Sequence, residues 1–115
     1  MVSDHKPYSL IIPETVQEQL RSIKSYIATA YFSEQAGANT VNNILYGLER
    51  LKFFPEAGFN ADERVGEAIY PPYNTRCIVL GDYLAFYHML EDRKAVFVSD
   101  ILHSKQDYIR LFTKK

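Results

Sequence analysis

The last forty residues of this chain contain three runs rich in β-branched, aliphatic and aromatic side chains. They extend from Arg76 to His103 and are separated by short turns at Gly81-Asp82 and at residues 91–93. A Gly-Asp pair suits a two-residue hairpin turn that requires glycine at its first position. Three apolar runs joined this closely predict an antiparallel meander of three strands.

Two amphipathic helices are predicted ahead of this meander. Apolar residues recur at steps of three and four over residues 16–30 and again over 41–51, which is the spacing of one helix face. Pro13 suits the first turn of the first helix, Ser33 can cap the second, and Pro55 disfavours helix at the residue before it. Because the connection between them is short, we expect an antiparallel helical hairpin over residues 14–54.

The remaining segments complete an α+β pattern. Tyr8–Ile12 predicts an N-terminal strand, and residues 55–74 are interpreted as a long loop with a short strand near Ala68–Tyr70. Ser104 is expected to cap a final helical turn, with Asp107 three residues later. Because helices and strands are segregated, the predicted fold class is α+β, with both helices on one sheet face and the opposite face or rim left for function.

Length and charge restrict the classes of function. A chain of 115 residues suits one domain, so residues 1–115 are expected to form a single domain. The net charge is −1, from 13 basic and 14 acidic residues. Proteins that act on nucleic acid usually carry a basic excess. This chain must therefore concentrate its positive charge locally, or bind protein instead.

Membrane and metal chemistry are not expected. No run approaches the ~20 apolar residues of a membrane span, and Met1–Pro7 has no apolar signal core. We therefore expect a cytoplasmic protein. Cys77 is the only cysteine and is interpreted as a small buried hydrophobe. With no multi-cysteine set, phosphate loop or metal-ligand cluster in the sequence, no metal and no cofactor are expected.

Four segments of the sequence resemble one protein family. They are Leu20–Ile27 in the first predicted helix, Leu48–Gly58 with its Phe-Pro-x-x-Gly ending, the strand pair Arg76–Tyr87, and the segment Leu102–Asp107 that begins Leu-His. In this order and at this spacing they resemble the RelE/ParE superfamily of bacterial toxins from type II toxin–antitoxin modules. The resemblance covers roughly Tyr8 to Phe112 and implies a cognate antitoxin as protein partner.

The resemblance allows two activities. RelE-like members cleave messenger RNA in the ribosome, whereas ParE-like members inhibit DNA gyrase and are not nucleases. This chain departs from RelE because Leu84 follows Tyr83 where the enzyme has arginine, and because only Lys105 and Arg110 remain of its arginine-rich segment. His103 favours cleavage, since several relatives use a histidine near this strand end.

We interpret the chain first as a ribosome-dependent mRNA endoribonuclease that needs no metal, with the ribosome and mRNA as partners. The alternative is a DNA gyrase inhibitor without nuclease activity, and a third possibility is a member that only binds its antitoxin. RNA self-cleavage requires a base, an acid and positive charge near the phosphorane. His103, Arg76 and Lys105 are the candidates for these roles, with Tyr108 as an additional donor.

Each candidate also has a structural interpretation. His103 can pack against or cap the strand end, Arg76 can form a salt bridge to Asp82, Glu91 or Asp100, and Lys105 can be merely solvated. Tyr83 and Tyr87 share one sheet face and can stack on bases or belong to the core. His88, beside Tyr87, can join a substrate-binding site or be a satisfied structural histidine. The candidate substrate-binding residues are therefore Tyr83, Tyr87 and His88.

Overall fold

A five-stranded sheet organises the computed structural model, which describes residues 6–113; part of the Met1–Pro7 segment thus lies outside the described residues. The strands are β1 (Ser9–Ile11), β2 (Phe59–Asn60), β3 (Arg76–Leu80), β4 (Tyr83–Leu90) and β5 (Ala95–His103). Their order across the sheet is β1-β5-β4-β3-β2. The predicted meander of β3, β4 and β5 is confirmed, and β1 adds to it by pairing in parallel with β5.

The predicted helical hairpin is also confirmed, as α1 (Glu14–Ala30) and α2 (Glu34–Arg50). Ser33 caps α2, because its side-chain oxygen accepts a hydrogen bond from the Ala36 N–H at 3.0 Å. The second helix ends at Arg50 rather than at Phe54. The N–H groups of residues 51–53 bond to carbonyls three residues back, which tightens the chain into turns before Pro55 is reached.

The main core lies between this hairpin and one face of the sheet, as predicted. Val16 and Leu20 of α1 and Ile44 and Leu48 of α2 are buried there. They pack against the residues of β4 and β5 that share this face: Tyr83, Ala85, Tyr87, Val96, Val98 and Ile101. We call this side of the sheet the helix face. None of the helices within residues 6–113 is long and apolar enough to cross a membrane.

The opposite face, which with its rim was expected to be left for function, is covered in part. Two short helices, α3 (Ala61–Val65) and α4 (Tyr108–Phe112), lie over it. They contribute to a second apolar cluster built on Ala61, Cys77, Leu84 and Phe86, with Phe59, Ile69, Leu102, Tyr108 and Phe112 packed against it. Cys77 is buried, as predicted, and burial raises the pKa of its thiol to about 12, which keeps it an unreactive thiol.

The loop over residues 55–74 differs from its prediction. The expected strand at Ala68–Tyr70 is wrong, and the short strand lies instead at Phe59–Asn60. The Ile69 N–H donates to one carboxylate oxygen of Asp62 at 2.9 Å, so this amide is satisfied by a side chain rather than by a neighbouring strand. The Thr75 N–H donates to the other Asp62 carboxylate oxygen at 3.1 Å. Asp62 thus holds the backbone at both Ile69 and Thr75.

The cap of the last helix was also predicted wrongly. Asp107, not Ser104, caps α4, and its carboxylate accepts from the Arg110 N–H at 3.3 Å. The Ser104 N–H instead donates to the Asp82 carbonyl at 2.8 Å. This bond ties the turn after β5 to the turn between β3 and β4. The helix α4 therefore begins at Tyr108, three residues later than a cap at Ser104 would place it.

Candidate functional site

Arg76 opens β3 on the helix face, where its backbone pairs with Tyr87 of β4. Its guanidinium donates a hydrogen bond to the backbone carbonyl of Gly58. In the described part of the chain it forms none of the three salt bridges considered for it. The structure thus gives Arg76 a structural role: it fastens the segment after α2 to the start of β3.

Arg76 and His103 lie at opposite ends of the meander. Arg76 pairs with Tyr87 and His103 pairs with Tyr83, four residues away along β4 and on its other side. At ~3.3 Å per residue and ~4.8 Å per strand spacing, their Cα atoms are roughly 16 Å apart. Because Arg76 is also held by Gly58, the structure does not bring the two side chains to a common phosphate.

His103, the last residue of β5, does lie close to Lys105 in the turn that follows the strand. The Lys105 N–H donates to His103 Nδ1 at 3.0 Å. The lone pair of His103 Nδ1 is therefore occupied by this hydrogen bond. Both residues line a cavity of about 940 Å³. It lies between the C-terminal end of α1, the first half of α2 and the β3–β4 turn.

Tyr108 lies on the other side of the sheet from this cavity. Its ring packs against Phe86, with the ring centroids 5.3 Å apart, and it belongs to the second apolar cluster. His103 is on the helix face, where its ring contacts Tyr83 edge-on at 5.1 Å. Of the four predicted catalytic residues, the structure therefore joins only His103 and Lys105.

Tyr83 and Tyr87 share a sheet face as predicted, and that face is the buried helix face. Their side chains are 8% and 0% exposed, so neither ring is available to stack on a base. The Tyr87 hydroxyl accepts a hydrogen bond from the Gly58 N–H at 2.9 Å. Burial raises the pKa of both phenols. Both tyrosines are core residues, which is the second of the two interpretations considered for them.

His88, the third predicted substrate-binding residue, is a buried side chain on the opposite face. Its ring is stacked between Tyr73, at 4.3 Å and 10° between planes, and Phe97, at 5.2 Å. Burial lowers the pKa of this imidazole, an effect that the nearby Asp62 carboxylate partly offsets. This contact fastens the loop that contains Tyr73 to the sheet. Among the described residues the buried Nδ1 of His88 has no hydrogen-bond partner, so His88 is buried and stacked but is not the satisfied histidine considered from the sequence.

Replacing His88 with phenylalanine should flatten the pH dependence of stability. A buried imidazole with a lowered pKa binds protons less readily in the folded than in the unfolded chain, so the wild type loses stability as pH falls through ~6.5. Burial raises the pKa of Asp100, so this carboxyl makes the opposite contribution to the pH dependence of stability. The contribution is the same in both proteins and cancels in their difference. Urea unfolding between pH 8 and 5 measures this; a difference that does not change with pH would contradict it.

Exposed aromatic residues near the α1–α2 turn were not singled out from the sequence. Tyr26, Tyr31 and Phe32 are 69%, 68% and 95% exposed. Phe32 also has φ of 51°, a conformation that is uncommon for a side chain of this size. The sequence contained a signal: Tyr26 and Tyr31 fall outside the apolar stripe of the first helix, so their rings had to point away from the core.

The described residues offer no evident metal site: within residues 6–113, no three His, Cys, Asp or Glu side chains are grouped closely enough to bind an ion.

A family model for the ParE toxin of the type II toxin–antitoxin system, parDE, matches residues 10–108. The match extends from the second residue of β1 to the first residue of α4. None of the curated proteins compared with the chain matches it.

Proposed function

Because this chain belongs to the ParE toxin family of type II toxin–antitoxin systems, we propose that it arrests growth by binding DNA gyrase and that it is not a nuclease. Membership of the family implies a cognate antitoxin that neutralises the toxin. The choice of target follows the ParE-like branch, whose members inhibit gyrase. This proposal differs from the first interpretation of the sequence, which was cleavage of messenger RNA.

The separation of Arg76 from His103 carries this proposal. Cleavage of RNA through its 2′-hydroxyl needs an acid, a base and a cation around one phosphate. Here the cation at Arg76 bonds to the Gly58 carbonyl, and His103 is paired with the opposite end of β4. His103 Nδ1 already accepts from the Lys105 amide. Arg76 and His103 are therefore not placed around one phosphate.

The charge and the exposed aromatic residues of the chain also support a protein target. A polyanion is usually bound by a cluster of Lys and Arg, and the net charge of the chain is −1. Exposed Tyr and Phe side chains, such as Tyr31 and Phe32, are typical of protein interfaces.

The direct test is to add purified toxin to DNA gyrase and plasmid. We expect loss of supercoiling or accumulation of cleaved plasmid, and in cells a DNA-damage response while messenger RNA stays intact. His103→Ala should inhibit gyrase as well as the wild type does, with Lys94→Ala, an exposed lysine at the other end of β5, as the matched control. Codon-dependent mRNA cleavage within ribosomes, with gyrase unaffected, would refute the proposal.

A ribonuclease centred on the His103–Lys105 cavity is the second candidate. It is favoured by one observation, that the imidazole and the lysine line the same cavity as the exposed ring of Tyr31. In this case His103→Ala should reduce the cleavage rate by ~100- to 10,000-fold, because it removes a proton-transfer group. Primer extension on a reporter mRNA, with Lys94→Ala as the control, measures this loss. Unchanged cleavage in His103→Ala would eliminate this candidate.

A further inference from the structure

Two buried polar atoms near the start of β3 have no hydrogen-bond partner in the part of the chain that the structure describes. They are the hydroxyl oxygen of Thr75 and Nδ1 of His88, in residues that are 1% and 6% exposed. A buried polar group without a partner is costly, and such groups are rare in native proteins. Two of them in one small region therefore indicate that they share a partner.

The register of β3 and β4 places these two side chains next to each other. Arg76 pairs with Tyr87 in the antiparallel ladder. Thr75 and His88, one residue further along, are therefore opposite each other on the face away from the hairpin. The Thr75 carbonyl accepts from the Ala61 N–H at 2.9 Å, so the backbone groups of Thr75 point away from β4. Thr75 and His88 thus form a pair without backbone hydrogen bonds, in which facing side chains approach most closely.

The Asp62 carboxylate of α3 adds a charged acceptor beside this pair. Its Oδ2 accepts from the Thr75 N–H at 3.1 Å, and its Oδ1 accepts from the Ile69 N–H at 2.9 Å. Each carboxylate oxygen has two lone pairs, so Oδ2 can accept a second hydrogen bond. Burial lowers the pKa of His88 and the negative charge of Asp62 opposes this effect, so the carboxylate lies within electrostatic reach of the imidazole.

The hydrogen-bonding capacity of these three groups matches one water molecule. The Thr75 O–H can donate to the water oxygen, and the two water hydrogens can then be donated to His88 Nδ1 and Asp62 Oδ2. Buried waters typically make about three hydrogen bonds to otherwise unsatisfied polar groups. Water suits the site better than a metal ion, because within residues 6–113 no three His, Cys, Asp or Glu side chains are grouped to hold one.

We propose that the Thr75 hydroxyl, His88 Nδ1 and the Asp62 carboxylate bind one internal water, which joins β3 and β4 to α3. The Tyr73 ring, stacked on His88 at 4.3 Å, covers the imidazole from the loop over residues 66–74. The water makes Nδ1 of His88 an acceptor, so the neutral imidazole carries its proton on Nε2. The ring on which Tyr73 stacks is then held by a hydrogen bond as well as by packing. The inference does not depend on whether gyrase or mRNA is the target.

A high-resolution crystal structure of the protein tests the site directly. We expect an ordered water within ~2.7–3.2 Å of Thr75 Oγ1, His88 Nδ1 and Asp62 Oδ2. A direct hydrogen bond between the Thr75 hydroxyl and His88 Nδ1 would overturn the proposal, because the two atoms would then need no third partner. A well-ordered site without a water would overturn it as well.

Replacing Thr75 with valine tests the site through the sign of a stability change. Valine has nearly the same shape but no hydroxyl, so Thr75→Val removes one hydrogen bond to the water. We expect the folding equilibrium constant to fall about three- to tenfold in urea unfolding. Thr29→Val, at an exposed position of α1, is the matched control and should change it by about twofold at most. Removal of a hydroxyl that truly lacks a partner would instead stabilise the protein, so an unchanged or raised constant in Thr75→Val would overturn the proposal.

The nitrogen chemical shifts of His88 provide a readout that does not depend on stability. In the wild type above pH 7, Nδ1 should have the shift of an acceptor nitrogen and Nε2 that of a protonated one. Thr75→Ser retains the hydroxyl and should keep both shifts, whereas Thr75→Val should change the shift of Nδ1. A proton on Nδ1 in the wild type, or the same Nδ1 shift in both variants, would overturn the proposal.

Discussion

Replacing Leu48 with alanine is expected to lower the free energy of unfolding by about 2–5 kcal/mol, because a fully buried leucine leaves both lost contacts and a cavity. Leu48 is 0% exposed at the centre of the packing between α2 and the sheet. Urea unfolding of the toxin, separated from its antitoxin, gives the difference directly, provided that the dependence on denaturant is unchanged.

Leu111→Ala is the matched control, because Leu111 is 51% exposed on α4. Its effect should stay within about 0.5 kcal/mol. A loss below about 1 kcal/mol in Leu48→Ala would mean that the hairpin does not pack on the sheet as described.

Replacing Gly58 with alanine should be the second large effect, with a loss of about 1–3 kcal/mol from overpacking. A Cβ at this position would lie 2.5 Å from the Cys77 carbonyl oxygen and 2.8 Å from the Tyr87 hydroxyl. The first of these neighbours is backbone and cannot rotate away. The Gly58 N–H bond to Tyr87 and its carbonyl bond to Arg76 would be disturbed together.

Thermal unfolding of Gly58→Ala beside Ala57→Ser measures this effect, since Ala57 is the exposed neighbour in the chain. The control should change stability by no more than about 0.5 kcal/mol. If Gly58→Ala were as stable as the control, the close approach of this segment to β3 would be wrong.

The secondary structure was predictable where the signal is local. The apolar stripes of the two helices and the cap at Ser33 depend on residues a few positions apart, and all were read correctly. The errors at Ala68–Tyr70 and Ser104 have a different origin. The Ile69 N–H bonds to the Asp62 side chain, and the Ser104 N–H bonds to the Asp82 carbonyl. No local sequence pattern marks either partner. Such tertiary bonds override local propensity.

The candidate site was harder to predict for two reasons. Residues 83–88 of β4 are buried on both faces, so alternation does not tell which side chains face outward. This is why Tyr83, Tyr87 and His88 were considered for a surface role. The separation of Arg76 from His103 was available from the topology alone: the first and third strands of a meander run in the same direction, so the start of one and the end of the other are far apart.

The pairing of β1 with β5 has a consequence for the order of events during synthesis. Ser9, near the start of the chain, lies beside Ala95, near its end, and β5 is an inner strand of the sheet. Contacts between such distant residues form late and slow folding. At ~5–20 residues per second, the nascent chain spends several seconds without this inner strand. The parallel pair of β1 and β5 can therefore form only after residues 95–97 have been synthesised, so the sheet is completed late in translation.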